Sequence, residues 1–121
     1  MKPPRDTSRI GAEAERLAES FLNEQGLKTL ARNHRCRYGE IDLVMRDGAV
    51  LVFVEVRFRR SNQFGTPAET VDRRKQKRLI TTARHYLNTN PSTLPCRFDV
   101  IAIDGQNRIQ WIQHAFAVES T

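Results

Sequence analysis

Residues 39–57, GEIDLVMRDGAVLVFVEVR, set carboxylates into what reads as the middle of a β-sheet. Two strands are expected, 40–46 and 49–58, separated by Asp47-Gly48, a pair that favours a tight hairpin. Side chains two apart on a strand share a face, which places Asp42 with Glu40 and Val44, and Glu55 with Phe53 and Arg57. The run 49–54 has no polar side chain. Taking a carboxylate out of water there costs several kcal/mol even after relaxation. Two such charges about 4 Å apart repel by about 4 kcal/mol at an effective dielectric near 20. A positive group is therefore needed between Asp42 and Glu55. Arg57 is the first candidate and a hard divalent cation the second, since magnesium is held by one or two carboxylates, waters and phosphate oxygens. A carboxylate on one strand with Glu-x-(Lys or Arg) on the next suits a metal beside a scissile phosphate. It equally suits a buried Asp/Glu/Arg network that fixes strand register, and residue spacing alone does not choose between them.

The rest of the composition bounds the setting. A chain of 121 residues, 39% hydrophobic, is long enough for one core without disulfide staples. Its net charge of +6 points to an anionic partner, nucleic acid before membrane. The two cysteines, Cys36 and Cys96, lack metal-ligand spacing and read as free thiols of a reducing cytoplasm. The three histidines, His34, His85 and His114, stand apart in sequence, so no zinc site is expected. With 49–54 the longest clean apolar run, no membrane helix is expected either.

Taken in order, residues 1–8 are Pro-rich and aperiodic and read as a tail, with 9–121 forming a single domain. Over 9–25, Ile10, Ala14, Leu17, Ala18, Phe21 and Leu22 recur at helical spacing and Gly26 supplies a stop. Glu15 lies at the edge of that stripe and Glu19 further towards water. A short strand, 27–33, then feeds a cationic turn, where Arg32, His34, Arg35 and Arg37 surround Tyr38. These cations either guide a phosphate backbone or balance nearby acids. After the central pair, the loop 59–67 carries Arg59 and Arg60 away from the sheet. A second helix, 68–88, holds the densest basic cluster, Arg73, Arg74, Lys75, Lys77 and Arg78, with Gln76 on its apolar side. The strand 96–103 carries Asp99, expected to be structural and paired with Arg97 or a helix cation. The strand 108–112 closes the chain, with Trp111 in the core or at a contact.

GAEAERLAESFL, GEIDLV, VFVEVR and RFDVIAI, in that order, resemble the YraN-like family of bacterial proteins. That family resembles the PD-(D/E)xK nucleases, above all archaeal Holliday-junction resolvases and type II restriction enzymes. The resemblance implies an α/β, restriction-endonuclease-like sandwich, with a mixed central sheet flanked by helices. It implies a magnesium or manganese ion on Asp42 and Glu55, Glu15 as a further ligand, and the Val56 carbonyl as a backbone one. Arg57 would then stabilise the phosphate and Gln76 would stand near the metal water. The implied partner is DNA ahead of RNA, branched DNA included, and the resolvases' pairing implies a homodimer. One departure weakens cleavage more than binding. Arg57 occupies the place of the usual lysine, and a guanidinium does not give up a proton near neutrality. Two functions therefore stay open: a metal-dependent endonuclease, and a nucleic-acid-binding protein on the same scaffold that cuts only with a partner or not at all.

Overall fold

The structure, a computed structural model, describes residues 5–59 and 71–117, with side chains of the first helix described from Gly11 onward. Arg60, the rest of the loop 60–67 and the expected helix start at 68 lie outside the described residues. The chain runs α1 (Arg5–Glu24), β1 (Lys28–Cys36), β2 (Gly39–Asp47), β3 (Val50–Arg59), α2 (Arg73–Thr89), β4 (Cys96–Asp104) and β5 (Ile109–Phe116). The five strands form one sheet in sequence order. β1, β2 and β3 are antiparallel neighbours, β3 and β4 are parallel, and β5 returns antiparallel to β4. A parallel pair needs a crossover connection, and α2 lies within it. The mixed α/β sandwich expected from the sequence is the fold observed.

Each helix buries one face of the sheet. Ala14, Ala18 and Leu22 of α1 pack on Leu43, Met45, Val52, Val54, Ile101 and Ile103. Leu79, Ala83 and Tyr86 of α2 pack on Ile41, Val44, Phe53, Phe98 and Val100. This alternation along β3 and β4 is what a strand covered on both faces requires. Phe53, Phe98 and Phe116 stack in series across the α2 face, with centroids 5.3 and 4.8 Å apart.

Several boundaries differ from expectation for identifiable reasons. α1 begins at Arg5 rather than residue 9, so the expected tail is shorter than residues 1–8. β1 continues to Cys36, so Arg32, His34 and Arg35 sit on a strand and only Arg37 and Tyr38 belong to the turn. The β2–β3 hairpin turns on Gly48-Ala49, because Asp47 pairs with Val50 and Gly48 takes φ +60°, the left-handed conformation such a turn demands. α2 starts at Arg73, capped by Asp72, whose carboxylate accepts from the Lys75 N–H at 2.8 Å. β5 extends to Phe116, past the expected end at 112.

Asp99 is the fold's own buried carboxylate. It accepts from Arg97 Nε at 3.0 Å, the Trp111 indole N–H at 2.9 Å and the His114 backbone N–H at 3.0 Å. Arg97 also reaches Asp47 at 2.9 Å, so one ion network ties the start of β4 to the end of β2 and to β5. Trp111, partly buried, packs against the α1-side core, edge-on to Phe21 with centroids 6.0 Å apart.

Removing the Asp99 carboxylate strands a guanidinium, an indole N–H and a backbone N–H. Asp99→Ala is expected to lower stability in urea denaturation by about 3–5 kcal/mol. Arg108→Ala, which breaks the exposed pair to Asp104, is expected to leave the urea midpoint nearly unchanged.

Candidate metal centre in a fork of the sheet

The site arises where β2 and β3 part. Their ladder runs from Asp47↔Val50 to Leu43↔Val54. One more step would set Ile41 against Val56, but the Val56 N–H donates to Asp42 Oδ2 at 2.8 Å instead. A side chain thus replaces the next backbone rung, and the sheet opens into a fork with Asp42 at its crotch. A strand residue aims its N–H and C=O at the same neighbour. The Val56 carbonyl therefore faces the fork as well.

Alternation slips at this point in both strands of the β1–β2 pair. Ile41 and Val44 pack on the α2 side although they are three positions apart, so Asp42 does not share the face of Val44 as simple alternation predicts. On β1, Arg32 and Asn33 both reach acids of α1, while Ala31 and His34 face α2. Asn33 absorbs the slip at φ 52°, a conformation that asparagine tolerates better than most residues. Because Arg32↔Leu43 and His34↔Ile41 flank it, Asn33 stands opposite Asp42 and the register survives.

The doubled slip gathers carboxylates. Carboxylate oxygens of Glu15, Glu40 and Asp42 all lie within 4.8 Å of one another, the one such group of three metal-ligating side chains among the described residues. With its amide nitrogen turned to the acids, Asn33 donates to Glu15 Oε1 at 2.9 Å and Glu40 Oε2 at 3.0 Å. Arg35 Nε holds the other Glu40 oxygen at 3.0 Å. Burial, followed by the charges of Glu55, Glu15 and Glu40, drives the Asp42 carboxyl up to about 8 against the lowering effect of the Val56 N–H. Burial and the Glu40 charge raise Glu15 as well.

Glu55 has a different environment from the one expected. It is buried on the α2 side of β3, and its Oε2 lies 3.2 Å from Arg57 Nε and 3.4 Å from Lys75 Nζ. It is not one of the tight three, yet its charge acts on Asp42 across the fork. The structure thus brings Glu15 and Asp42 together, with Glu55 and Arg57 alongside. It adds Glu40, which shared a face with Asp42 in the sequence and was not singled out as a ligand. Lys75, expected only in the basic footprint, faces Glu55. Gln76 points elsewhere, its amide donating to the Val71 carbonyl at 2.9 Å.

The basic residues divide by position. Arg73, Arg74, Lys77 and Arg78 are exposed on α2, and Arg37 is exposed in the β1–β2 turn. Arg59 ends β3, half-buried, beside Asp104 and Arg108. Arg35 is committed to Glu40. His34 and His85, expected to stand alone, meet across β1 and α2 with Nε2 and Nδ1 3.1 Å apart, and burial and the His85 charge lower the His34 pKa.

The donor set suits a hard cation. Every side-chain donor is a carboxylate oxygen, and a backbone carbonyl faces the same opening, a combination that favours magnesium or manganese over zinc or copper. Unneutralised acids at this spacing keep a proton on Asp42, which a divalent ion would displace. No helix among the described residues is long and apolar enough to cross a membrane.

The sequence profile of the uncharacterised protein family UPF0102 matches residues 14–103, a span holding every acid of the fork. A UPF0102 protein of Nitrosomonas europaea is 51% identical over 108 residues, covering 88% of this chain and 92% of its own length. Another, from Saccharophagus degradans, is 52% identical over 110 residues, covering 89% and 92%. A third, from Psychromonas ingrahamii, is 48% identical over 120 residues, covering 96% and 98%. The chain belongs to the UPF0102 family.

Proposed function

We propose that this protein is a metal-dependent endonuclease that hydrolyses phosphodiester bonds in DNA, with magnesium or manganese held in the fork. The observation that carries the reading is Asp42. It is half-buried, it replaces a rung of the sheet, and three further carboxylates press on it. A purely structural carboxylate in this chain looks different: Asp99 is saturated by a guanidinium and two N–H donors. Around Asp42 the donors are few and the acids many, an arrangement that a bound cation would relieve.

Asp42, Glu15 and Glu40 would hold the ion, with the Val56 carbonyl facing the same opening and Glu55 on the neighbouring strand. When bound, such an ion polarises a phosphoryl oxygen and lowers the pKa of a coordinated water. The protein's own groups do the rest. The Val56 N–H fixes the orientation of Asp42, and Asn33 spaces Glu15 from Glu40. Arg57, paired with Glu55, offers a planar fork of donors to a phosphate that gains charge during attack. Lys75 of α2 sets beside the same carboxylate the ammonium that position 57 lacks. The exposed arginines and lysine of that helix supply the long-range attraction for a polyanion.

Purified protein with magnesium or manganese is expected to cut linear, flapped or four-way DNA. Asp42→Asn, which keeps an acceptor for Val56, and Glu55→Gln are each expected to slow cutting by at least about a hundredfold while leaving salt-sensitive binding in place. Wild-type protein that binds DNA but never cuts any of these substrates would contradict the endonuclease and favour the binding protein.

The Asp42 carboxyl gives a second test without substrate. Its folded pKa is raised, so between roughly pH 4 and 8 the folded state holds a proton that the unfolded chain has released. Stability is expected to fall through that window by up to about 1.4 kcal/mol per pH unit and to level off above it. Asp42→Asn flattens the slope. Manganese raises the melting temperature of the wild type, more at pH 8 than at pH 6, because the ion competes with that proton.

A further inference from the structure

Beside the acids lies a cleft of about 390 Å³ between the β1–β2 turn and α2, walled by Arg37, Tyr38, Glu40, Lys75 and Arg78. It adjoins the fork, because two of its walls belong to both places. Glu40 is one of the clustered acids, and Lys75 touches Glu55. We propose that this cleft seats one unpaired nucleotide next to the reacting phosphate, so that the substrate of the acidic site is single-stranded or frayed nucleic acid rather than intact duplex. The inference rests on the nuclease reading above and narrows it.

Three observations carry it. The volume lies in the range of about 300–1,000 Å³ that small-ligand pockets occupy. Its charge is that of a phosphate site, with three cations facing one carboxylate, and among the described residues no acid pairs with Arg37 or Arg78. Its rim carries an aromatic ring in water: Tyr38 is 46% exposed, and the Arg37 guanidinium lies 5.0 Å from its ring centroid. An exposed ring with cations around it is the platform on which unstacked bases rest. A base inside a duplex is already stacked on its neighbours and offers no free face to such a ring.

The seat is rigid. Gly39 has φ +153°, and a Cβ there would come within 3.2 Å of Thr82 Oγ1, so the turn lies directly on α2. The Tyr38 N–H donates to Cys36 Sγ at 3.4 Å, and that sulfur lies 3.9 Å from Thr82 Oγ1. Tyr38 is thus presented by a fixed turn, which lowers the ordering cost of binding.

Fluorescence anisotropy with a labelled single strand and a blunt duplex of equal length tests this directly. Wild-type protein is expected to bind the single strand at least about tenfold more tightly. Tyr38→Ala is expected to weaken single-strand binding by about fivefold to a hundredfold, Tyr38→Phe to restore it, and neither to alter duplex binding. Arg78→Gln is expected to reduce the slope of log affinity against log salt by about 0.7. Equal affinity for both forms, single-strand binding indifferent to Tyr38→Ala, or no binding of either would overturn the proposal. If the first or second result comes with cutting that Asp42→Asn abolishes, the nucleotide seat falls while the nuclease reading stands. Absence of both binding and cutting removes the two together.

Discussion

One hydrogen bond organises this protein: the Val56 N–H given to the side chain of Asp42 rather than to a backbone carbonyl. A sheet normally closes every rung, because a buried unpaired amide costs free energy comparable to a lost hydrogen bond. Here the rung is closed by a carboxylate, which satisfies the amide and at the same time wedges the strands apart. The opening exists because the acid is there, and the acid is confined because the opening is narrow. Glu15 and Glu40 then converge on it, and Glu55 acts from the next strand. Repulsion among them is the tension that the rest of the fold must contain.

The containment is shared by two helices on opposite faces. α1 delivers Glu15 and, through Glu19, anchors β1 by way of Arg32 and Thr29. α2 delivers Lys75 to Glu55 and packs against the β1–β2 turn. Neither helix could supply its charge if the sheet were covered on one face only. The Asp99 network secures the start of β4 independently, holding β2, β4 and β5 in place while the fork stays open. Stability and site are thus served by different carboxylates, one saturated and one under-satisfied.

Much of this was legible in the chain. Period-two patterning on either side of Asp47-Gly48 gave the central hairpin, and the period of α1 placed Glu15 at the margin of its buried stripe. Asp99 could be recognised as structural because Arg97 stands two residues away on the same face. Strand alternation failed at Asp42, since a slip shared by Asn33 and Asp42 depends on pairing between strands that sequence spacing does not contain. The one hint was an asparagine, a residue that accepts positive φ, within a strand otherwise rich in cations. Lys75 was hidden for the same reason: its partner Glu55 is twenty residues away, and only the crossover returns α2 to β3. The helical stripe placed Gln76 inward, but it carried no information that the amide would be taken up by the Val71 carbonyl at the helix start. His34 and His85 meet across 51 positions, a separation at which ligand-spacing rules say nothing.

Whether the fork is a metal centre is tested most directly by anomalous diffraction from a crystal soaked in manganese. An anomalous peak within coordination distance of the Asp42 carboxylate, facing the Val56 carbonyl, is the result expected. A well-ordered crystal with the fork acids in place and no peak among them, even at saturating manganese, would contradict it.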